Sequence, residues 1–298
     1  MNVLNQAEGA GWTAFHGDCA EVMLGMPESS VHLTVTSIPF ASLFTYSNSD
    51  RDFGNCKSHA QFFEQFGFFA PALLRVTKPG RLAAIHCMNL PTSKTRDGHI
   101  GLSDFRGEVI RSFEDAGWIF HAETVIWKDP VTAMQRTKAL GLLWKQLKKD
   151  SAMSRMGIPD TIVFFRKPGE NECAVSHSAA DFPVDQWQRW ASPVWMDIDQ
   201  SDTLQFRSVR ENEDERHLCP LQLEPIRRCL TLYSNPGDVV FDPFGGIGST
   251  GVVALHNNRK TVIAELKEVY WKQAVANLRE AETAGKRQPS LDFGRAAP

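Results

Sequence analysis

The chain has 298 residues, of which 42% are hydrophobic and 22% charged, and its net charge is near −3 at neutral pH. That balance fits a globular protein with one large core and room for a second lobe or insertion; the protein as a whole is not a polycation, which counts against a histone-like binder but leaves room for a local basic patch. The six cysteines (Cys19, Cys56, Cys87, Cys173, Cys219, Cys229) form no C-x-x-C pair and have no histidine cluster at zinc spacing, no leader pattern opens the chain, and no apolar run reaches membrane-spanning length, so a cytoplasmic protein with reduced thiols, no metal site and no membrane partner is expected.

The first clear element is Val31 to Thr36, where apolar and small or polar residues alternate with a β-branched bias; it reads as a strand and runs into Ser37-Ile38-Pro39-Phe40. Phe62 to Val76 has helical apolar spacing and stops at Lys78-Pro79-Gly80, a turn signal, after which Arg81 to Cys87 reads as a short apolar strand. Phe105 to Ala116 predicts a helix closed by Gly117, and His121 to Trp127 another strand. Strand and helix alternating across short turns predict an α/β domain on a largely parallel sheet.

From Lys128 to Lys167 the character changes: nine Lys or Arg stand against three acids, a local charge near +6. Glu170 to Arg216 is the reverse, with eleven acids against four arginines and Trp187, Trp190 and Trp195 interleaved. This middle region reads as an insertion into the regular alternation. The alternation resumes with a helix from Leu221 to Tyr233, a turn at Asn235-Pro-Gly237, a strand from Asp238 to Phe241, a helix from Ser249 to His256, a strand from Lys260 to Ala264 and a helix from Val269 to Ala284. The residues from Arg287 onward read as a disordered tail.

Between the strand at 238–241 and the helix at 249 lies Asp242-Pro243-Phe244-Gly245-Gly246-Ile247-Gly248, and Gly246 to Gly251 fits G-x-G-x-x-G. Glycines let the backbone pass close to a ligand, and a helix N-terminus offers free N–H donors to an anion. Glu265, at the end of the next strand, is placed to take two ribose hydroxyls. Alone, this pattern fits a nicotinamide-dinucleotide enzyme or a methyltransferase, and purely structural glycines are a third reading. The loop begins about 55 residues from the last residue, so the second half of a dinucleotide fold would have to come from the N-terminal part. Asp242 would face a diphosphate badly, whereas the sulfonium and amino groups of S-adenosylmethionine tolerate an acid.

The second candidate site is Ser37 to Phe40. The exocyclic amine of a base is a poor nucleophile, because its lone pair is delocalised into the ring. A side-chain oxygen and a fixed backbone carbonyl that accept its hydrogens push electron density back onto nitrogen, and an aromatic ring can stack on the flipped base. Ser37 supplies such an oxygen, Ile38 the carbonyl and Phe40 the ring, while Pro39 restrains residue 38 to an extended conformation.

With these two segments in this order, the chain resembles the amino-methyltransferases of DNA, the N6-adenine and N4-cytosine enzymes, in their β arrangement. The family's catalytic motif, Asp/Asn/Ser-Pro-Pro-aromatic, is matched by Ser37-Ile38-Pro39-Phe40, with Ile38 in place of the first proline. Its cofactor motif is matched from Asp242 to Thr250, including Ser249. His217-Leu-Cys-Pro220-Leu221-Gln222 is similar to a segment that lies against the methionine end of the cofactor, with Leu218 and Gln222 replacing the usual proline and lysine. Gly17-Asp18-Cys19 looks like the segment whose acid contacts the cofactor adenine. The resemblance implies a Rossmann-like, circularly permuted methyltransferase fold, S-adenosylmethionine as cofactor, double-stranded DNA as substrate and a homodimer or higher oligomer. In overall texture, including Tyr46-Ser-Asn-Ser-Asp50 and Trp127-Lys-Asp-Pro130, the chain resembles orphan or prophage-type adenine methylases, although a first-position serine is commoner in N4-cytosine enzymes.

The implied organisation is a catalytic half (1–128), a target-recognition insertion (129–205), a cofactor-binding half (206–284) and a tail (285–298). Arg136, Lys138, Lys145, Lys148, Lys149 and Arg155 are the expected DNA contacts, phosphate contacts being the main salt-dependent term in such binding; the bland alternative is a solvated helix face. Tyr46 and Ser47 are candidates for a lid over the base. The three tryptophans read as core or oligomer-interface residues rather than base-stacking platforms, and isolated histidines such as His86 and His121 as packed rather than catalytic. Two rivals remain: a DNA-binding homologue with impaired catalysis, of which Ile38 would be the symptom, and an enzyme acting on RNA or a protein glutamine.

Overall fold

The computed structural model describes residues 3–40, 56, 59–137, 142–204 and 220–287, without the side chains of 59, 96, 134–137 and 285–287. Eleven strands are formed there: β1 (Asn5–Gly9), β2 (Trp12–His16), β3 (Val31–Ser37), β4 (Thr77–Cys87), the short pair β5 (Leu90–Pro91) and β6 (Leu102–Ser103), β7 (Ile119–Ile126), β8 (Asp160–Arg166), β9 (Val194–Trp195), β10 (Val239–Asp242) and β11 (Lys260–Glu265). Nine of them make one sheet in the order β1-β2-β11-β10-β3-β4-β8-β7-β9. β2, β11, β10, β3 and β4 run parallel, β8 runs antiparallel between β4 and β7, and β1 pairs antiparallel with β2 at the edge. This is the mostly parallel α/β architecture that the alternating pattern predicts.

Helices cover both faces because the strands are apolar on both sides, as parallel strands buried by crossovers must be. On one face α1 (Cys19–Gly25), α2 (His59–Val76) and α4 (Phe105–Asp115) close a core of Phe62, Phe66, Phe69, Phe113 and Phe165, with the Phe113 and Phe165 rings stacked at 4.0 Å. On the other, α8 (Leu223–Tyr233) and α9 (Ser249–His256) pack Ile226, Leu230 and Val253 against Leu33, Val35, Ile162 and Phe164. α10 (Glu268–Arg287) lays Trp271 and Leu278 over Trp12 and Ile263. The remaining helices are the short α3 (Lys94–Asp97), α5 (Pro130–Thr137), α6 (Trp144–Lys149) and α7 (Val184–Trp190). No described helix is long and apolar enough to cross a membrane.

Two expectations change. The turn at Lys78-Pro79-Gly80 is a bulge inside β4: Val31 pairs with Thr77 but Leu33 with Leu82, so three extra residues are pushed out of register, with Gly80 at φ +71°. The stretch read as an insertion is not separate from the sheet, since β8 inside it is a buried central strand and β9 pairs with β7. Alternation could not reveal β8, because Thr161 to Phe165 is buried on both faces and shows no polar period. The N-terminal β1, β2 and α1 carry too weak a pattern to be read from the sequence.

The sheet has one point where the chain order reverses. From β3 the chain crosses to β4 on one side, and from β10 it crosses to β11 on the other. Loops leaving the carboxyl ends of β3 and β10 therefore splay apart and leave a crevice between them, the place where open α/β sheets bind ligands.

Candidate active site

Both loops singled out in the sequence leave the sheet at this crevice. β10 is hydrogen-bonded to β3, and the two loops are tied by side chains: Thr36 Oγ1 donates to Asp242 Oδ1 at 2.6 Å, and Thr250 Oγ1 donates to the Val35 carbonyl at 3.2 Å. Asp242 is buried and also accepts from Phe244 N at 3.1 Å. Burial pushes its carboxyl above the usual range, and hydrogen bonds from Thr36 and Phe244 N pull the other way. Asp242 thus braces the glycine loop against β3 rather than standing open in the crevice. Pro243 is buried, and the Phe244 ring packs 5.2 Å from Phe69.

The glycines have separate reasons. Gly246 and Gly248 have φ of +52° and +88°, which side-chain-bearing residues rarely adopt. A Cβ on Gly245 would meet Ile263 and Ala264 of β11 at 3.0–3.3 Å, so the loop lies close on the strand. At Gly246 no described atom stands within 4 Å of a Cβ position, so that stretch of backbone faces open space. Beside it, at the start of α9, Ser249 Oγ is buried without a hydrogen-bond partner among the described residues. An open backbone and an orphaned buried hydroxyl fit a polar ligand laid over the loop.

The neighbouring strand ends complete this half. Glu265 Oε2 accepts from Gly246 N at 2.8 Å and Oε1 from Lys267 N at 2.7 Å, and Gly17 N donates to the Glu265 carbonyl at 2.9 Å. Asp18 caps α1, with Oδ1 accepting from Ala20 N and Glu21 N, so Oδ2 is not used by the cap. Cys19 turns its side chain into the core, where burial and the adjacent Asp18 push the thiol well above its usual value; only its backbone is left for a ligand. Leu221 is likewise in the core, and Pro220 is half-buried. His217 lies outside the described residues.

On the other side of the crevice, Ser37 ends β3 directly opposite His86 of β4. The Ser37 hydroxyl is 2.8 Å from His86 Nδ1. Nε2 of the same ring lies 3.3 Å from Asp160 Oδ2, off the line of a good hydrogen bond, and Lys128 Nζ donates to Asp160 Oδ1 at 2.6 Å. Burial raises the Asp160 carboxyl, but His86 and Lys128 beside it more than offset this and hold it down to about 2. The Phe40 ring meets His86 edge-on, 5.8 Å between centroids, and Phe105 at 6.4 Å.

Ile38 is buried, and its N–H donates to the His86 carbonyl at 3.3 Å, a bond proline could not make. Strand pairing here does the restraining that a ring would otherwise do. His86, Asp160 and Lys128 are site residues that sequence reasoning misses; His86 is packed, as expected of it, but packed against Ser37. His121 is exposed, contrary to expectation.

Of the basic residues, Lys145, Lys148 and Lys149 are exposed on α6, beside the exposed Trp144 and Leu147, and Arg155 is half-buried. The side chain of Arg136 is not described, and Lys138, Tyr46 and Ser47 lie outside the described residues. Lys128 and Lys167 of the same run are committed elsewhere, Lys128 to Asp160 and Lys167 to the Arg75 and Thr77 carbonyls. Trp190 and Trp195 flank the buried Arg228 at 5.4 and 5.1 Å, while Trp187 is half exposed. Among the described residues no group of His, Cys, Asp or Glu could hold a metal ion.

The model of the N6/N4 DNA methylase family matches residues 31–276, which contain both loops and the sheet between them. The chain belongs to this family. Curated relatives of the methylase include a type II methyltransferase of Bacillus subtilis, 26% identical over 86% of this chain, of whose length the chain spans 66%. A DNA adenine methyltransferase of Escherichia coli is 26% identical over 52% of this chain and 51% of its own. Among solved structures, a DNA modification methylase from Thermus thermophilus complexed with S-adenosyl-L-methionine has a TM-score of 0.66 at 22% identity, covering 89% of this methylase and 92% of its own chain. The PvuII methyltransferase, described as cytosine-N4-specific, has a TM-score of 0.66 at 18% identity and covers 96% of each chain.

Proposed function

We propose that the chain transfers a methyl group from S-adenosylmethionine to the exocyclic amine of a base flipped out of double-stranded DNA, N6 of adenine being the favoured target. The observation that carries this reading is the meeting of the two loops at the reversal point, one offering an open backbone and a free buried hydroxyl, the other a serine oxygen beside an aromatic ring.

S-Adenosylmethionine, when bound, supplies a methyl group already activated as a sulfonium. Gly246, Gly248, Ser249 and Thr250 would hold it along the loop, Glu265 and Asp18 at the ends of β11 and β2, and the segment from His217 to Leu221 at its methionine end. Ser37 Oγ and the Ile38 carbonyl accept the hydrogens of the target amine, and Phe40 stacks on the base. Charge and position suffice, because the donor is pre-activated. Lys145, Lys148, Lys149, Arg155, Arg136 and Lys138 contact DNA phosphates, and the chain acts as a homodimer or higher homo-oligomer.

The adenine preference rests on the likeness to adenine methylases, one of which is among the curated relatives. Cytosine N4 is the second reading, favoured by the serine at position 37. Incubation with unmethylated DNA and labelled donor, followed by nucleoside analysis, tests both: N6-methyladenine supports the first, N4-methylcytosine the second, and no label in DNA defeats the reading.

A further inference from the structure

We infer that His86, backed by Asp160 and Lys128, is a positioning residue that fixes Ser37 as a hydrogen-bond acceptor and drains the proton released by the methylated amine. This rests on amine methylation being the chemistry of the site.

Ser37, His86 and Asp160 lie on three adjacent strands at one end of the sheet, and Lys128 follows the end of the next strand. Ser37 and His86 are register partners on β3 and β4. His86 pairs with Ile162 on β8, and Asp160, two residues on, points to the same face by the strand period. Ile126 pairs with Asp160, so Lys128, just beyond the end of β7, reaches it from the far side. His86 and Asp160 are both buried, and a buried charge persists only when paired.

The chain of contacts determines where the protons sit. A carboxylate can only accept, so Asp160 favours the proton on His86 Nε2, which leaves Nδ1 bare. A bare Nδ1 accepts from the Ser37 hydroxyl at 2.8 Å. With its own proton turned towards His86, the serine oxygen presents only lone pairs to the crevice, which is what an amine N–H requires. Without His86 the hydroxyl can rotate and offer its proton instead.

The same chain carries the proton away. When the N–C bond has formed and the donor's C–S bond has broken, with its electron pair left on sulfur, the amine bears a positive charge and one proton too many. That proton passes to Ser37 Oγ as the serine's own proton passes to His86 Nδ1. The positive charge comes to rest on an imidazolium facing the Asp160 carboxylate, and the proton leaves to solvent afterwards.

Two measurements on the full chain test this, after wild-type transfer to DNA has been shown. His86→Phe keeps the ring and the edge contact with Phe40 but removes both nitrogens. Its kcat is expected to fall about 10²-fold, the scale of a missing proton-transfer partner, with donor affinity and the KM for DNA within about threefold. His86→Asn, which can still present an acceptor near the Nδ1 position, recovers part of the loss. Nitrogen-15 NMR of the wild-type histidines needs no variant to fold and should show His86 as the Nε2–H tautomer. A His86→Phe enzyme with near-native kcat, or an Nδ1–H tautomer in the wild type, overturns the relay while leaving methyl transfer standing. Absence of wild-type transfer would instead overturn the amine-methylation reading beneath it.

Discussion

The glycine loop and the serine loop face each other across one strand pairing, yet they are held by different means. The first is shaped by the backbone: two glycines at positive φ, a third pressed on β11, and a carboxylate tied to a loop N–H. The second is shaped by side chains that arrive from distant stretches of chain, with His86, Lys128 and Asp160 all more than forty residues from Ser37. Backbone geometry should therefore govern donor binding, and the side-chain relay should govern the transfer step. Thr36 and Asp242 join the two, so neither loop can shift without the other.

The largest break expected in this division is Ser37→Ala. It removes the acceptor without touching the glycine loop, and transfer should fall on the order of 10²–10³-fold, the usual effect of deleting one preorganised polar group at a reacting centre. Donor affinity, measured by calorimetry, should stay near native; a matching loss there would show that the loops are not separable. Phe40→Ala should act in the same direction.

Gly248→Ala strikes the opposite side. Its φ of +88° and the Ala274 backbone 3.3 Å from a new Cβ predict a cost of about 1–3 kcal/mol in stability together with weaker donor binding. An unchanged melting temperature and unchanged affinity would mean that backbone conformation does not shape that loop.

Acid should separate the two sides as well. The Asp160 carboxyl is held at about 2, below the ordinary carboxylate value, so its stabilisation is complete above about pH 4 and is lost as pH falls towards 2. Urea unfolding between pH 5 and 2 should show this loss, on the order of 2 kcal/mol, in the wild type and not in Asp160→Asn. The same acid slope in both proteins would mean that Asp160 is not so held.

How much of this is legible in the sequence follows from the same contrast. A backbone at positive φ is most readily spelled with glycine, so Gly246 and Gly248 announce their loop, and Ser37 to Phe40 stands out because a proline and an aromatic follow a strand. Nothing local marks His86 as a partner of Ser37, because their contact is made by the register of two strands, at a sequence separation of 49. Asp160 is hidden by the same burial that hides β8: with both faces of the strand apolar, the stretch around it looks like part of a basic insertion. Lys128 counts among the basic residues of that run, although its ammonium is bound to Asp160.

The smallest effect expected is on DNA affinity. Replacing Lys145, Lys148 and Lys149 by alanine should weaken binding similarly on all sequences, with donor binding unchanged. The dependence of log K on log salt should flatten by up to about 0.9 for each phosphate no longer neutralised. An unaltered salt slope would make α6 an ordinary solvated helix.

The central claim, that both loops serve one amine methylation of DNA, is tested most directly by incubating the chain with unmethylated duplex DNA and methyl-labelled S-adenosylmethionine, then digesting the DNA to nucleosides. Label in N6-methyladenine is the predicted result. No label in any nucleoside, from protein that binds both donor and DNA, would contradict it.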